Sequence, residues 1–476
     1  MKGITILRSL LLIFALMLLA GCEGDIESTG PLNTNNVNLI FVVSPDLAFD
    51  PLGDIEATTA NLNNQGLQRS LLMGTYLKEQ ILGTNNVTRI TVLEPMTHLQ
   101  TANNYPDMTA IGFIQQFALL NRFTMDGTIG YSFPLHAAYG PGSVPAGVVE
   151  PDPYTPGSQG LDFNDASGNN IALVSDIIQA NAPGFYVFSA PWETVSALLE
   201  DIKRTNGYDL DLPATYKGSN HVYVISIEPW GDASLFTFDS QLNPPATYPV
   251  LPSPVAGSSC NQQALFSYTR TGGVDGAIVP PGTNTNQTVH LIRHAEAHPT
   301  SHWENGNYVG AGQWRALALP DAMLGKINPD QVYSIDPAQS FSFGGYSVSY
   351  VRPSLTVLPY AIANNLPYYL VAEFLIGEDA ADPNTARTTS DYLFTGGKFS
   401  NQTILLAWEH EHFPPLITAL LESYQGSVPA PTLFWPPGDY DTIWTVTLDA
   451  LGNVTVDNAM CEGIDSSSLP ATAPQF

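Results

Sequence analysis

Positive charge is what this 476-residue chain has least of: 16 Lys and Arg stand against 44 Asp and Glu, a formal net charge of −28. That balance excludes nucleic acid and anionic membrane faces as general partners, because both repel an acidic surface. Cysteine is scarce too, with 3 in the whole chain, so each can be placed individually. The apolar run Leu10–Ala20 is too short to span a bilayer. What remains is ordinary for a globular protein, at 44% hydrophobic residues, and the length suggests two domains rather than one.

The short run has another reading. Lys2 and Arg8 precede it, and together they have the shape of a signal peptide over residues 1–21. It ends Leu19-Ala20-Gly21-Cys22, which resembles the lipobox of bacterial lipoproteins. The resemblance implies cleavage before Cys22, acylation of that cysteine and anchoring in a lipid bilayer of the cell envelope. Glu23, in place of Asp, leans towards the outer membrane, facing the periplasm or the cell surface. Removing residues 1–21 takes away two cations and no anions, so the mature charge is 14 − 44 = −30. Cys260 and Cys461 are then left as an even pair in an oxidising compartment, which reads as a disulfide. Closing a loop of that length contributes about 5 kcal/mol in the chain-entropy account, less any native strain. The alternative is two separate thiols.

Residues 22–36 read as a polar tether. Val37–Val43 is an apolar strand ending in the turn signal Ser44-Pro45-Asp46, and Gln65–Leu82 has helical spacing. Strands follow at Arg89–Leu93 and Phe185–Phe188, a helix at Glu193–Ile202 and a hairpin over His221–Phe238. Tyr139–Asn170, dominated by Pro, Gly and Asp, reads as a surface insertion. Residues 243–285 begin with five prolines by Ser259 and read as a linker. A similar order then returns: strand Val289–Ile292, helix Gln313–Leu324, strands Gln331–Ile335 and Thr403–Trp408, helix Leu416–Tyr424 and hairpin Ile443–Val456.

The halves match in detail. Gly66, Arg69 and Leu71 align with Gly312, Arg315 and Leu317. Ala197-Leu198-Leu199-Glu200 repeats as Ala419-Leu420-Leu421-Glu422, and Val222, Tyr223, Ile227 and Gly231 fall on Ile443, Trp444, Leu448 and Gly452. Several matches in one order indicate an internal duplication. The expectation is two related three-layer α/β/α domains with mainly parallel sheets, residues 37–242 and 286–462, and a tail over 463–476.

Ligands on such sheets bind beyond the carboxyl ends of the strands. Arg293-His294 lies at one such end and His410 at another, with Arg352 between them in sequence. Arg293-His294-Ala295, Arg352 with Thr356, and His410 resemble, in order, the hallmarks of the histidine phosphatase (phosphoglycerate mutase-like) superfamily. Gly312-Gln313-Trp314-Arg315-Ala316-Leu317 resembles the helix start that follows the first of them. The resemblance covers about the last 180 residues. It implies that His294 is a nucleophile forming a phosphohistidine that water then cleaves, on a phosphorylated small molecule or glycan.

The chemistry suits the residues. A neutral imidazole can attack phosphorus, Arg293 and Arg352 can clamp its oxygens, and His410 can add a donor, with no metal or other cofactor required. In an acidic chain any such site has to be a local cationic pocket. Glu411, which follows the second histidine, is the expected proton donor, a task that needs burial. Glu373 and Glu378 are rival acids, and Glu296 is expected to orient the pocket or contact substrate. The family's glycine is replaced by Ala295, whose methyl could crowd the phosphate.

In the first half, Ser44-Pro45 takes the place of Arg293-His294 and Thr97 that of Arg352, and Phe185–Glu200 holds no histidine. That half is expected to keep the fold without the chemistry, with His98 a structural near miss. Two other readings stay open. His294, Glu296, His298, His410 and His412 could form a hydrolytic metal site, or both halves could be a non-catalytic envelope module. An exported protein has no supply of cytosolic sugar phosphates, which favours a phosphatase over a mutase.

Overall fold

The computed structural model describes residues 30–50, 53–100, 105–121, 123–124, 131–132, 135–136, 160–260, 263–297, 308–335, 340–343, 346–349, 351–371 and 383–476. The signal segment, Cys22 and most of the expected insertion lie outside the described residues.

Two mixed sheets organise these residues. The first holds β1 (Val37–Val43), β2 (Arg89–Val92), β3 (Leu135–His136), β4 (Gly184–Ala190), β5 (His221–Ile227) and β6 (Ala233–Asp239), in the order β6-β5-β1-β4-β2-β3. The second holds β7 (Ser267–Arg270), β8 (Gln287–Arg293), β9 (Gln331–Ile335), β10 (Tyr368–Val371), β11 (Thr403–Trp408), β12 (Thr442–Leu448) and β13 (Val454–Cys461), ordered β7-β13-β12-β8-β11-β9-β10. Apart from β7, the orders and the strand directions correspond one for one. In each, an antiparallel hairpin edges a run of parallel strands. The duplication read from short sequence matches is therefore present in the topology.

The central strands read as continuous apolar runs because both faces are covered. Every residue of β1 and of β4 is buried. On the outer faces lie α3 (Asn169–Ala180) and α4 (Trp192–Asn206) in the first half, and α7 (Pro383–Phe394) and α8 (Phe413–Ser423) in the second. The repeated Ala-Leu-Leu-Glu segments lie on α4 and α8.

The inner faces share one layer of four helices: α1 (Asn64–Tyr76), α2 (Thr109–Leu119), α5 (Gly310–Ala322) and α6 (Arg352–Ala363). A single apolar cluster runs from Ile40 and Val42 of β1, through Phe113, Leu319 and Leu358 of this layer, to Ile292 and Leu405 of the other sheet. Every residue of α2 is buried, and so is every residue of α6 from Arg352 to Ile362. A helix with two sheets as neighbours has no wet face, so its sequence carries no amphipathic stripe. That is why α2 and α6 are not legible as helices from spacing.

The Pro-rich segment expected as a linker is laid along the second half instead. Its residues Ser267–Arg270 form β7 on the edge of β13, Tyr248 donates to the Leu317 carbonyl at 3.1 Å, and Cys260 is joined to Cys461. The expected tail is likewise built in: Trp314 donates to the Thr472 carbonyl at 2.8 Å, and Gln116 of α2 donates to that of Pro474. Reducing the disulfide, or replacing both cysteines by serine, should lower the unfolding free energy by about 2–5 kcal/mol. Urea midpoints with and without reductant measure this. An unchanged midpoint would mean that β7 and the apolar contacts hold the segment without the bond.

Candidate active site

The parallel strands β8, β11 and β9 end side by side, with Arg293 level with Trp408 and Ser334 level with Ala407. The amide of His294 donates to the Trp408 carbonyl at 2.9 Å, which extends the pairing by one residue and sets the turn away from the sheet. His294 is thereby fixed at the sheet end, and Glu409 and His410 leave the adjacent strand beside it.

The helix α6 starts at Arg352, with Pro353 in its first turn, where a missing N–H costs nothing. Its Thr356 hydroxyl accepts from the Ala295 amide at 2.8 Å and donates to the Arg352 carbonyl at 2.8 Å. One hydroxyl thus ties the residue after the histidine to the residue that supplies the second arginine. The methyl of Ala295 belongs to the central apolar cluster, which points it away from the crevice. Ala295 also lies outside the residues with positive φ, so its backbone makes no demand for glycine.

The His294 ring is buried, and its Nδ1 lies 2.8 Å from the Ala295 carbonyl. That contact makes Nδ1 the protonated nitrogen and leaves the lone pair on Nε2. Burial, then the charges of Arg293 and Arg352, with His410 a smaller contributor, hold the imidazole well below its ordinary value; the Ala295 carbonyl opposes them. The result is a neutral imidazole in a cationic setting.

Arg293 is buried and held from β12's side of the crevice. Its Nη1 donates to the carbonyls of Pro437 and, at 3.4 Å, Asp439, and its guanidinium carbon sits 3.9 Å from the centroid of the Tyr440 ring. The loop is stiffened by Asp439, whose carboxylate accepts from the amides of Asp441 and Thr442 at 2.9 and 3.0 Å. Thr356 stands where the sequence pattern put it, four residues after Arg352, whereas Tyr440 and Glu409 carry no sequence signal of their own. The duplication could have pointed to Tyr440, because β12 runs antiparallel to β8 and so begins at the crevice end.

Several expectations change here. Glu411 is exposed, so the burial required of a proton donor is not met. Glu409 is the less exposed carboxylate, half-buried beside His412. Burial raises it, but the 3.3 Å contact with His412 and the charges of His412, Arg352 and His410 outweigh this and hold it below the ordinary range. Glu373 and Glu378 lie outside the described residues.

Glu296 is turned to Arg315, which suits the orienting role expected of it and not a contact within the crevice. Its Oε1 accepts from Arg315 at 2.8 Å and from the Ser466 hydroxyl at 2.8 Å. Arg315 is fully enclosed and also donates to Glu462, the Ile464 carbonyl and Ser466. The metal set drawn from histidines is not assembled either: Glu296 belongs to Arg315 and His412 stacks on Trp408 at 4.3 Å. His298 lies outside the described residues.

The first half also requires a shift of register. Ser44 donates to the Ala190 carbonyl at 3.0 Å as His294 does to that of Trp408, so Ser44 stands at His294 and Val43 at Arg293. Thr97 lies in a short turn after β2; the counterpart of α6 is α2, so the place of Arg352 falls at Thr109. Trp192 occupies the place of His410. The matched glycines and arginines prove structural in both halves. A Cβ on Gly312 would meet the Glu296 carbonyl at 3.0 Å, one on Gly66 would meet that of Asp54 at 2.2 Å, and Arg69 bonds Asp54 as Arg315 bonds Glu296.

No protein-family model matches the chain, and no curated protein matches it. Solved structures do. A mycobacterial glucosyl-3-phosphoglycerate phosphatase overlaps 36% of this chain and 97% of its own, at 14% identity and a TM-score of 0.24. An Entamoeba histolytica phosphoserine phosphatase, in complex with 3-phosphoglyceric acid, overlaps 36% and 96%, at 17% identity and 0.23. A putative phosphohistidine phosphatase from Agrobacterium tumefaciens overlaps 34% and 90%, at 14% identity and 0.21. All three are members of the histidine phosphatase superfamily. Assignment of chemistry to this crevice rests on its own residues rather than on these overlaps.

Two outcomes follow from the buried groups. Glu296→Ala leaves the Arg315 charge enclosed with one partner fewer and should cost about 3 kcal/mol in urea unfolding, whereas Glu411→Gln should leave the midpoint unchanged. Burial lowers His290 to about 4, against the pull of Asp457, and it lowers His294 as well. Both are therefore neutral when folded and take up protons when unfolded, so stability should fall as pH drops through about 6.5. Each contributes up to about 1.4 kcal/mol per pH unit while only its unfolded form is protonated. For His290 that window closes near 4. His290→Gln should flatten the slope measured between neutral and mildly acidic pH.

Proposed function

We propose that this chain is a phosphomonoester hydrolase that acts through a phosphohistidine on Nε2 of His294. The observation that carries the reading is that two adjacent strand ends and the first turn of α6, tied to the Ala295 amide, set Arg293, Arg352 and His410 around one buried, neutral imidazole. In a chain so poor in cations, two arginines and a histidine acting on a second histidine make the local cationic pocket that a phosphate dianion needs.

In the first step Nε2 attacks phosphorus in line with the ester oxygen. The N–P bond forms, the P–O bond breaks, and the leaving oxygen takes the electron pair and then a proton from solvent water. The arginines bear the charge on the equatorial oxygens, and the contact of Nδ1–H with the Ala295 carbonyl stabilises the imidazole as it becomes cationic. In the second step water attacks phosphorus, the N–P bond breaks and inorganic phosphate is released. The water's proton goes to Glu409, the ionised carboxylate beside Arg352 and His410. The proposed setting is the bacterial envelope, on the strength of the Lys2–Cys22 leader, with a phosphorylated small molecule or glycan as substrate.

The test is hydrolysis of an aryl phosphate by the wild type and by His294→Ala, with acid-quench trapping of label on histidine. The wild type should turn over and trap label, and His294→Ala should lose activity by about 1,000-fold or more. Equal release from both proteins, or from neither, would sink the assignment and leave a binding module in its place. Glu409→Gln should slow release of phosphate more than formation of the phosphohistidine, so labelled enzyme should accumulate.

A further inference from the structure

The first half keeps the crevice and reverses its charge. Where the second half gathers Arg293, Arg352 and His410 at its sheet end, the first gathers Asp46 after β1, His98 after β2 and Asp107 just before α2. Glu193, in the first turn of α4, adds to the acidic field around His98. We propose that this crevice binds one divalent transition-metal ion, through Asp46 Oδ2, His98 Nε2 and Asp107 Oδ2.

The three atoms lie within 4.8 Å of one another, with His98 Nε2 2.7 Å from Asp46 Oδ2 and 3.9 Å from Asp107 Oδ2. Ligands of a tetrahedral ion with bonds near 2.1 Å stand about 3.4 Å apart, so small adjustments bring all three to bonding distance. Each carboxylate already has its other oxygen engaged. Asp46 Oδ1 accepts from the Ala48 amide at 2.7 Å, and Asp107 Oδ1 accepts from the Thr109 amide at 2.9 Å and from its hydroxyl at 2.5 Å. These bonds turn both Oδ2 atoms towards the imidazole, which is the outer-shell support that metal carboxylates receive.

The ring itself is held flat against Phe163, centroids 3.7 Å apart and planes 11° apart. Asp107 supplies the independent sign of a ligand. It is fully buried, and its Oδ2 has no hydrogen-bond partner. A buried carboxylate oxygen left in that state is costly, and a cation bonded directly to it removes the cost. Two carboxylates balance a 2+ charge, and the imidazole selects ions such as Zn²⁺ over Ca²⁺ or Mg²⁺. His98 is the partly exposed member and gives the ion its way in.

The test uses the full chain, stripped on a chelating resin and then equilibrated with Zn²⁺, or with Co²⁺ as a spectroscopic probe. One ion should be retained per chain, Co²⁺ should give visible absorption, and excess Ca²⁺ should not displace it. Asp107→Asn and His98→Gln should each weaken binding by about tenfold or more, whereas His294→Ala should bind as the wild type does. If Asp107→Asn does not fold, Asp46→Asn replaces it in the comparison. No retained ion, an ion that survives these substitutions, or one lost in His294→Ala would overturn the proposal. Because the readout is bound metal, the result is independent of whether His294 is catalytic.

Discussion

Arg315 is a full positive charge with no access to water, and such a charge is tolerated only where carboxylates and carbonyls surround it. It collects Glu296 from the turn after β8, Glu462 from the end of β13, and the Ile464 carbonyl and Ser466 hydroxyl beyond it. Asp441, at the entry to β12, lies 3.7 Å away. Three chain segments that border the crevice are thereby pinned to one helix. Three carboxylates around one cation are more than it can neutralise. Burial pushes Glu462 up to about 8, with Asp441 and Glu296 adding to the rise and Arg315 opposing it. The crevice geometry depends on this cluster although its carboxylates are turned to Arg315 and not to His294.

How the catalytic candidates reach one another follows from the same economy of elements. His294 and His410 are brought together by neighbouring parallel strands, so their meeting is a property of sheet order. Arg352 arrives on the first turn of α6, and Thr356, one helical turn on, ties that turn to the amide beside His294. An arginine and a threonine four residues apart are therefore one structural unit. That spacing has a physical reason: i and i+4 lie above one another on a helix.

Much of this was legible from residues. The strands Val37–Val43, Gln331–Ile335 and Thr403–Trp408 have the bounds expected of them, and the duplicated motifs predicted the matching sheet orders. What stayed hidden had specific causes. The helices α2 and α6 are buried on every side and have no polar face to set a period. Ser44 stands at His294 rather than at Arg293 because hydrogen bonding to Ala190 sets the register, which residue identity alone does not reveal. Glu411, weighed against Glu373 and Glu378, is the acid the sequence offers, and Glu409 is not legible there because position along the chain says nothing of which way a residue leaves a strand end. The carboxylate of Glu296 could not be assigned without knowing that Arg315, 19 residues later, is enclosed beside it.

The helical layer also accounts for the first half being present at all. Its sheet has Ser44 where the other has His294, yet α1 and α2 cover one side of α5 and α6. Gln115 lies 3.3 Å from the Tyr308 hydroxyl, and Gln116 bonds the Pro474 carbonyl across the junction. Without the first half, the apolar side chains of α6 that face it would lie in water, and the helix that presents Arg352 would lose one of its two walls. Its positioning role therefore holds whatever its own crevice binds. That role leaves the residues at the first sheet end free to differ, provided the inner faces stay apolar, and at that end Val43, Ser44, Thr109 and Trp192 stand in the places of Arg293, His294, Arg352 and His410, with Asp46 and Asp107 beside them.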